Sequence, residues 1–87
     1  MKVKDGFVLR EVAGQAVVIA TGEASKTFHG MVKLNGTGAD IWRGIAAGKT
    51  EGEVAAELAS TYDVDPERAA ADVAAFVKRM SAEGFLA

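Results

Sequence analysis

Hydrophobic and polar positions change rhythm about a third of the way along the chain. Before that point the apolar residues come in short runs bounded by turn formers. Phe7 to Val12 is rich in β-formers, and Gln15 to Ala20 centres on Val17, Val18 and Ile19. Only Ala13-Gly14 separates them, a glycine-containing break that signals a β-hairpin. Thr21-Gly22-Glu23-Ala24-Ser25 is polar and breaks the pattern. A third strand is predicted over Thr27 to Leu34. Strand side chains alternate between faces. Phe28, Val32 and Leu34, with Gly30 between them, therefore face the core, and His29, Met31 and Lys33 face away.

Beyond Leu34 the apolar spacing is helical. A first helix is predicted between Thr37 and Ala47, with Thr37 as N-cap, Asp40 in the first turn where the helix dipole favours an anion, and Gly48 as stop. Ile41, Trp42 and Ile45 form its apolar face, with Trp42 in the core. Gly44 within it costs roughly 1 kcal/mol relative to Ala. Thr50-Glu51-Gly52-Glu53 matches a capping box that opens a second helix ending near Tyr62-Asp63, with Val54, Leu58 and Tyr62 at i, i+4 spacing. Asp65 then caps a third helix with Pro66 at its first position. Ala69, Val73, Phe76, Val77 and Met80 make its apolar stripe. Gly84 stops it, and Phe85-Leu86 is expected to fold back onto the core. Strands followed by helices predict an α+β domain.

The 87 residues are expected to form one domain, 1–87, with a modest core, since much of the 49% hydrophobic content is alanine. There is no cysteine, which excludes disulfides and Cys-based metal sites. The first residues lack the apolar stretch of a signal peptide, and no run approaches the roughly 20 apolar residues of a membrane helix. A cytoplasmic protein without a membrane partner is expected. Net charge is −2, with the lysines and arginines scattered, so no concentrated basic surface points to nucleic acid.

Catalytic chemistry finds little to work with. The one histidine, His29, has neither a cysteine nor a second histidine to share a metal. Glu51, Glu53, Glu57, Asp63, Asp65 and Glu67 are spread along helix faces as solvated charges rather than paired in a cleft. Gly36-Thr37-Gly38 precedes a helix but lacks the length and the lysine of a phosphate loop. No enzyme activity, cofactor or metal is expected.

One segment has the character of a family signature. Leu34-Asn35-Gly36-Thr37-Gly38-Ala39-Asp40-Ile41-Trp42 resembles the Leu-Asn-x-[Thr/Ser]-Gly-Ala-x-Ile-Trp pattern of PqqD-like proteins. Lys49-Thr50-Glu51, Tyr62-Asp63-Val64-Asp65-Pro66-Glu67, Asp72-Val73 with Phe76, and Gly84-Phe85-Leu86 follow in the family's order and spacing. The resemblance covers almost the whole chain. It departs at Gly36, where the family often has an acidic residue, and this predicts a looser start to the first helix. The resemblance implies a winged-helix-like fold, a three-stranded antiparallel sheet followed by three helices. It also implies a recognition element for ribosomally made precursor peptides. Such a protein binds the leader part of the precursor and presents it to a modifying enzyme, often a radical S-adenosylmethionine enzyme. The product of such a pathway is pyrroloquinoline quinone or another modified peptide. The leader is expected as a strand beside the third strand, in a groove walled by the third helix.

The edge of the third strand is suited to such a partner on physical grounds as well. A small open sheet has edges with unpaired N–H and C=O groups that accept another strand. Phe28, His29, Gly30, Met31, Val32 and Lys33 are the candidate strand residues, with Gly30 permitting close backbone approach. Arg68, Asp72, Ala75, Phe76 and Arg79 recur at helical spacing on the third helix. Phe76 supplies an apolar wall, Arg68 and Arg79 pair with an acidic leader residue, and Asp72 with a basic one. Two other readings compete: a DNA-binding winged-helix regulator, for which the third helix carries too many acidic residues, and a structural subunit that dimerises through sheet edges. A monomer and a homodimer are both compatible with the sequence.

Overall fold

The computed structural model describes residues 2–26 and 30–87. Its elements run β1 (Phe7–Val12), β2 (Gln15–Ala20), a 3₁₀ turn (Gly22–Lys26), β3 (Met31–Leu34), α1 (Gly36–Ala46), α2 (Glu51–Tyr62) and α3 (Pro66–Ala82). The α+β order predicted from the hydrophobic pattern is thus observed. The sheet is antiparallel in the order β1-β2-β3, which leaves β1 and β3 as edges. No helix among the described residues is long and apolar enough to cross a membrane.

The hairpin has the expected bounds. Val12 pairs with Gln15 across a two-residue turn in which Ala13 (φ 53°) and Gly14 (φ 78°) both take positive φ. Such a turn matches the twist of the strands it joins. The third strand is shorter than predicted: Met31–Leu34 is strand and Gly30 precedes it outside any element, while Thr27, Phe28 and His29 lie outside the described residues.

The first helix starts two residues earlier than a Thr37 cap implies, because Asn35 caps it. The Asn35 side chain accepts from the Gly38 N–H at 2.8 Å. Asn35 directly follows the last strand residue in extended geometry, so its carboxamide reaches the free amides first. The expected loose start is therefore closed by a well-formed cap. The Thr50–Glu53 capping box is present in both directions. Hydrogen bonds from Thr50 hold the Glu53 carboxyl below its ordinary pKa. Asp65 caps α3, with Pro66 in the first turn.

Two apolar clusters build the core. One joins the helices through Ile41, Ile45, Val54, Leu58, Ala69 and Val73. The other joins sheet to helices through Val18, Leu34, Trp42, Met80 and Phe85. Gly44 belongs to the first interface. A Cβ there would come within 2.8 Å of Val54 Cγ2, so α1 and α2 pack more closely than an alanine permits. Tyr62 departs from the predicted apolar stripe: it is 42% exposed, and its hydroxyl donates to Asp40. That bond raises the Tyr62 pKa.

Gly84 (φ 83°) ends α3, and the Phe85 N–H returns to the Met80 carbonyl at 3.0 Å. The reversal drives Phe85 inward between Phe7 (ring centroids 4.8 Å apart) and Trp42 (6.1 Å, edge-on). The chain ends are stitched together here. Lys4 N–H donates to Phe85 at 2.8 Å, Ala87 N–H to Lys2 at 2.9 Å, and Val3 bridges Leu86.

Candidate functional site

Which backbone groups of β3 are free follows from the register. The Thr21 N–H donates to the Gly6 carbonyl at 2.7 Å, which makes these residues a hydrogen-bonded pair at the end of the β1–β2 ladder. Hydrogen-bonded and non-bonded pairs alternate in an antiparallel ladder. Residues 15, 17 and 19 of β2 therefore bond toward β1, and Ala16 and Val18 toward β3. The partners of Ala16 and Val18 are Leu34 and Val32. Val32 and Leu34 are thus held by β2, and the N–H and C=O groups of Met31 and Lys33 point out of the sheet. The side chain of Val32 packs on the core cluster, so its contribution is to the fold of the strand. Gly30 is exposed, with open space around its Cα.

Beside this edge lies a groove of about 580 Å³ between the end of β3, the start of α1 and one face of α3. Leu34, Gly38, Ile41 and Phe76 contribute to its lining, with Ala75, Arg68, Asp72 and Arg79 from α3. On α3 the buried residues Ala69, Val73 and Met80 form one row. Arg68, Asp72, Ala75 and Arg79 form the next, and all four are exposed. Phe76 stands between the rows. It is half-buried, packs against both core clusters and still lines the groove, so it serves as core and as wall. Gly38 keeps its place because a Cβ there would meet Phe76 Cε2 and Asn35 Oδ1, each at 3.2 Å.

The groove's charges are unequal. Arg68 Nε lies 3.8 Å from Asp72 Oδ2, an exposed pair that largely neutralises one end and contributes little to stability. Arg79, at the other end, has no ion pair among the described residues. Of the predicted set, Lys33, Arg68, Asp72, Ala75, Phe76 and Arg79 line this groove, and Met31 lies two residues before Lys33 on the same strand, outside the lining. Phe28 and His29 lie outside the described residues. Gly38, Ile41 and Asn35 were missed from the sequence, although the family-like segment 34–42 contains all three. Among the described residues no group of three or more His, Cys, Asp or Glu side chains is placed to hold a metal.

Residues 8–86 match the profile of the family described as Coenzyme PQQ synthesis protein D (PqqD). Two solved structures share the fold. One is TbiB1 in complex with the TbiA(beta) leader peptide, 21% identical, with a TM-score of 0.80 over 99% of this chain and 94% of that one. The other is a lasso peptide synthetase B1 complexed with the leader peptide, 22% identical, with a TM-score of 0.80 over 99% of this chain and 95% of that one. No curated protein matches the chain.

Proposed function

The chain belongs to the PqqD family, and on that premise we propose that it is a non-catalytic adaptor. It binds the leader of a ribosomally made precursor peptide and presents it to a peptide-modifying enzyme, of the radical S-adenosylmethionine class or another. The observation that carries this reading is the free edge of β3. Met31 and Lys33 turn main-chain groups out of the sheet that are unpaired among the described residues, and Lys33 lines a groove walled by α3. Main-chain bonds to that edge supply affinity for any extended segment, and the groove supplies selectivity. Two proteins of the same fold were solved with leader peptides bound, which supports the same reading.

The dimensions suit a short motif. Arg68 to Arg79 spans about 16 Å of helix at 1.5 Å per residue, which about five strand residues cover at 3.3 Å each. Side chains of the leader that point into the groove meet Phe76 and Ile41, so apolar residues belong there. An acidic residue belongs at the Arg79 end, where the cation is unpaired among the described residues. Asp72, already facing Arg68, takes a basic leader residue only by breaking that pair.

Isothermal titration of the chain with the precursor peptide encoded beside it tests the proposal. The expected result is saturable binding that is lost when the leader is removed from the precursor. Absence of binding at tens of micromolar, even with the partner enzyme present, would overturn it.

A further inference from the structure

The sheet has a second face, opposite the one that packs through Val18 and Leu34 on Trp42, Met80 and Phe85. By the ladder register it carries Val8, Arg10 and Val12 from β1, Gln15, Val17 and Ile19 from β2, and Met31 and Lys33 from β3. A sheet face turned to water ordinarily alternates to polar residues. Here five of these eight residues are aliphatic. Val8, Ile19 and Met31 stand side by side as one apolar row across all three strands, and Arg10, Val17 and Lys33 form the next. Met31 is 57% exposed and Val12 54%. Val17, whose register partners are Arg10 and Lys33, is only 2% exposed.

The charge on this face runs against that of the whole molecule. The chain carries a net −2, yet the strand residues of this face include two cations and no carboxylate. Neither Arg10 nor Lys33 has an ion pair among the described residues. A second copy of the same face would set cation against cation. A surface with carboxylates around an apolar centre complements it.

Continuity with the leader edge identifies which partner this is. Met31 and Lys33 offer their main chain to the leader and present their side chains on this face. A strand added beyond β3 extends the sheet, and every second leader side chain then joins the same surface. Resting on the adaptor function proposed above, we infer that this outer face docks the peptide-modifying enzyme through an acidic, apolar-centred surface of that enzyme, with the bound leader as part of the contact. Leader and enzyme therefore reinforce each other's binding, and the reinforcement is reciprocal.

The test titrates the fluorescently labelled chain with the peptide-modifying enzyme encoded beside it, with and without a synthetic leader peptide. Leader affinity is measured separately by calorimetry. Wild type is expected to bind the enzyme about fivefold or more tightly when the leader is present. Arg10→Glu lies on the strand farthest from the leader. It should leave leader affinity unchanged and weaken enzyme binding about tenfold or more, with Arg10→Gln between it and wild type and with a reduced salt dependence. Circular dichroism checks both variants, and Arg10→Gln carries the test if the reversal disturbs the fold. Unchanged enzyme binding by a natively folded variant, alongside normal leader binding, overturns the docking inference and leaves the adaptor function standing. A wild-type dimer in sedimentation that Arg10→Glu converts to monomer also overturns it, in favour of a second copy. If wild type itself binds no leader, the adaptor function fails and the docking inference with it.

Discussion

The two edges of this sheet differ in what the chain does with them. β1 is the longer, with six residues against four in β3. Two of its outward groups are served by the chain itself. The Phe7 N–H turns to the Lys4 carbonyl at 3.4 Å, and the Leu9 carbonyl accepts from Arg10 Nη1 at 3.3 Å. Residues just before β1 are tied to the C-terminal segment through Lys4, Phe85 and the Val3–Leu86 bridge. At β3 the outward groups of Met31 and Lys33 have no such service among the described residues. An exposed edge is an aggregation hazard that proteins usually blunt. Blunting one edge and sparing the other is the arrangement expected of a sheet that accepts one specific strand.

The largest expected effect comes from undoing the closed edge at its anchor. Phe85→Ala removes a fully buried ring wedged between Phe7 and Trp42, and should cost about 3–5 kcal/mol in urea unfolding. That is a large share of the roughly 4–13 kcal/mol available to a domain of 87 residues. Amides of residues 2–9 should lose hydrogen-exchange protection before those of α2. A loss below about 1 kcal/mol would mean that Phe85 does not anchor this edge.

Next in size is a direct contrast between the edges. Met31→Pro deletes an outward N–H at β3, and Glu11→Pro deletes the equivalent outward N–H at β1. Proline is tolerated on edge strands where the lost donor faces away from the ladder, so both variants should keep a native circular dichroism spectrum. Leader binding in calorimetry should disappear for Met31→Pro and stay within about twofold of wild type for Glu11→Pro. Equal binding by the two variants would remove the distinction between the edges.

How much of this was legible in the sequence depended on whether the cause was local. The hairpin, the capping box at Thr50 and the Asp65-Pro66 helix start are written in adjacent residues, and each was read with its observed bounds. Asn35 and Thr37 are both competent caps two residues apart. What decides between them is where β3 releases the chain, which residue type does not reveal. Gly44 reads as a weak point by propensity, and only the approach of Val54 explains it. Val17 and Val18 both read only as the centre of a strand, and it takes the ladder register to put them on opposite faces of the sheet. The difference between the edges was least legible, since it rests on contacts between Lys4 and Phe85, at opposite ends of the chain. Within the site, the row on α3 was readable because helical spacing is regular. The outward turn of Met31 and Lys33 required the ladder register.

The smallest effect probes the groove wall without touching either edge. Gly38→Ala places a methyl 3.2 Å from Phe76 Cε2 and from Asn35 Oδ1. The ring edge is the far end of a side chain and has the groove to move into, whereas at Gly44 the nearest atom belongs to Val54 in a closed interface. Alanine also gains up to about 1 kcal/mol in helix propensity. Crowding and propensity then nearly cancel, and stability should shift by less than about 1 kcal/mol. The displaced Phe76 ring, however, narrows the space where an apolar leader residue belongs. Leader affinity should fall about three- to tenfold, equivalent to about 0.7–1.4 kcal/mol, while Glu11→Pro leaves it nearly unchanged. If Gly38→Ala instead destabilised the fold strongly and left leader affinity intact, Phe76 would be core alone, and selectivity would rest on the charged row of α3.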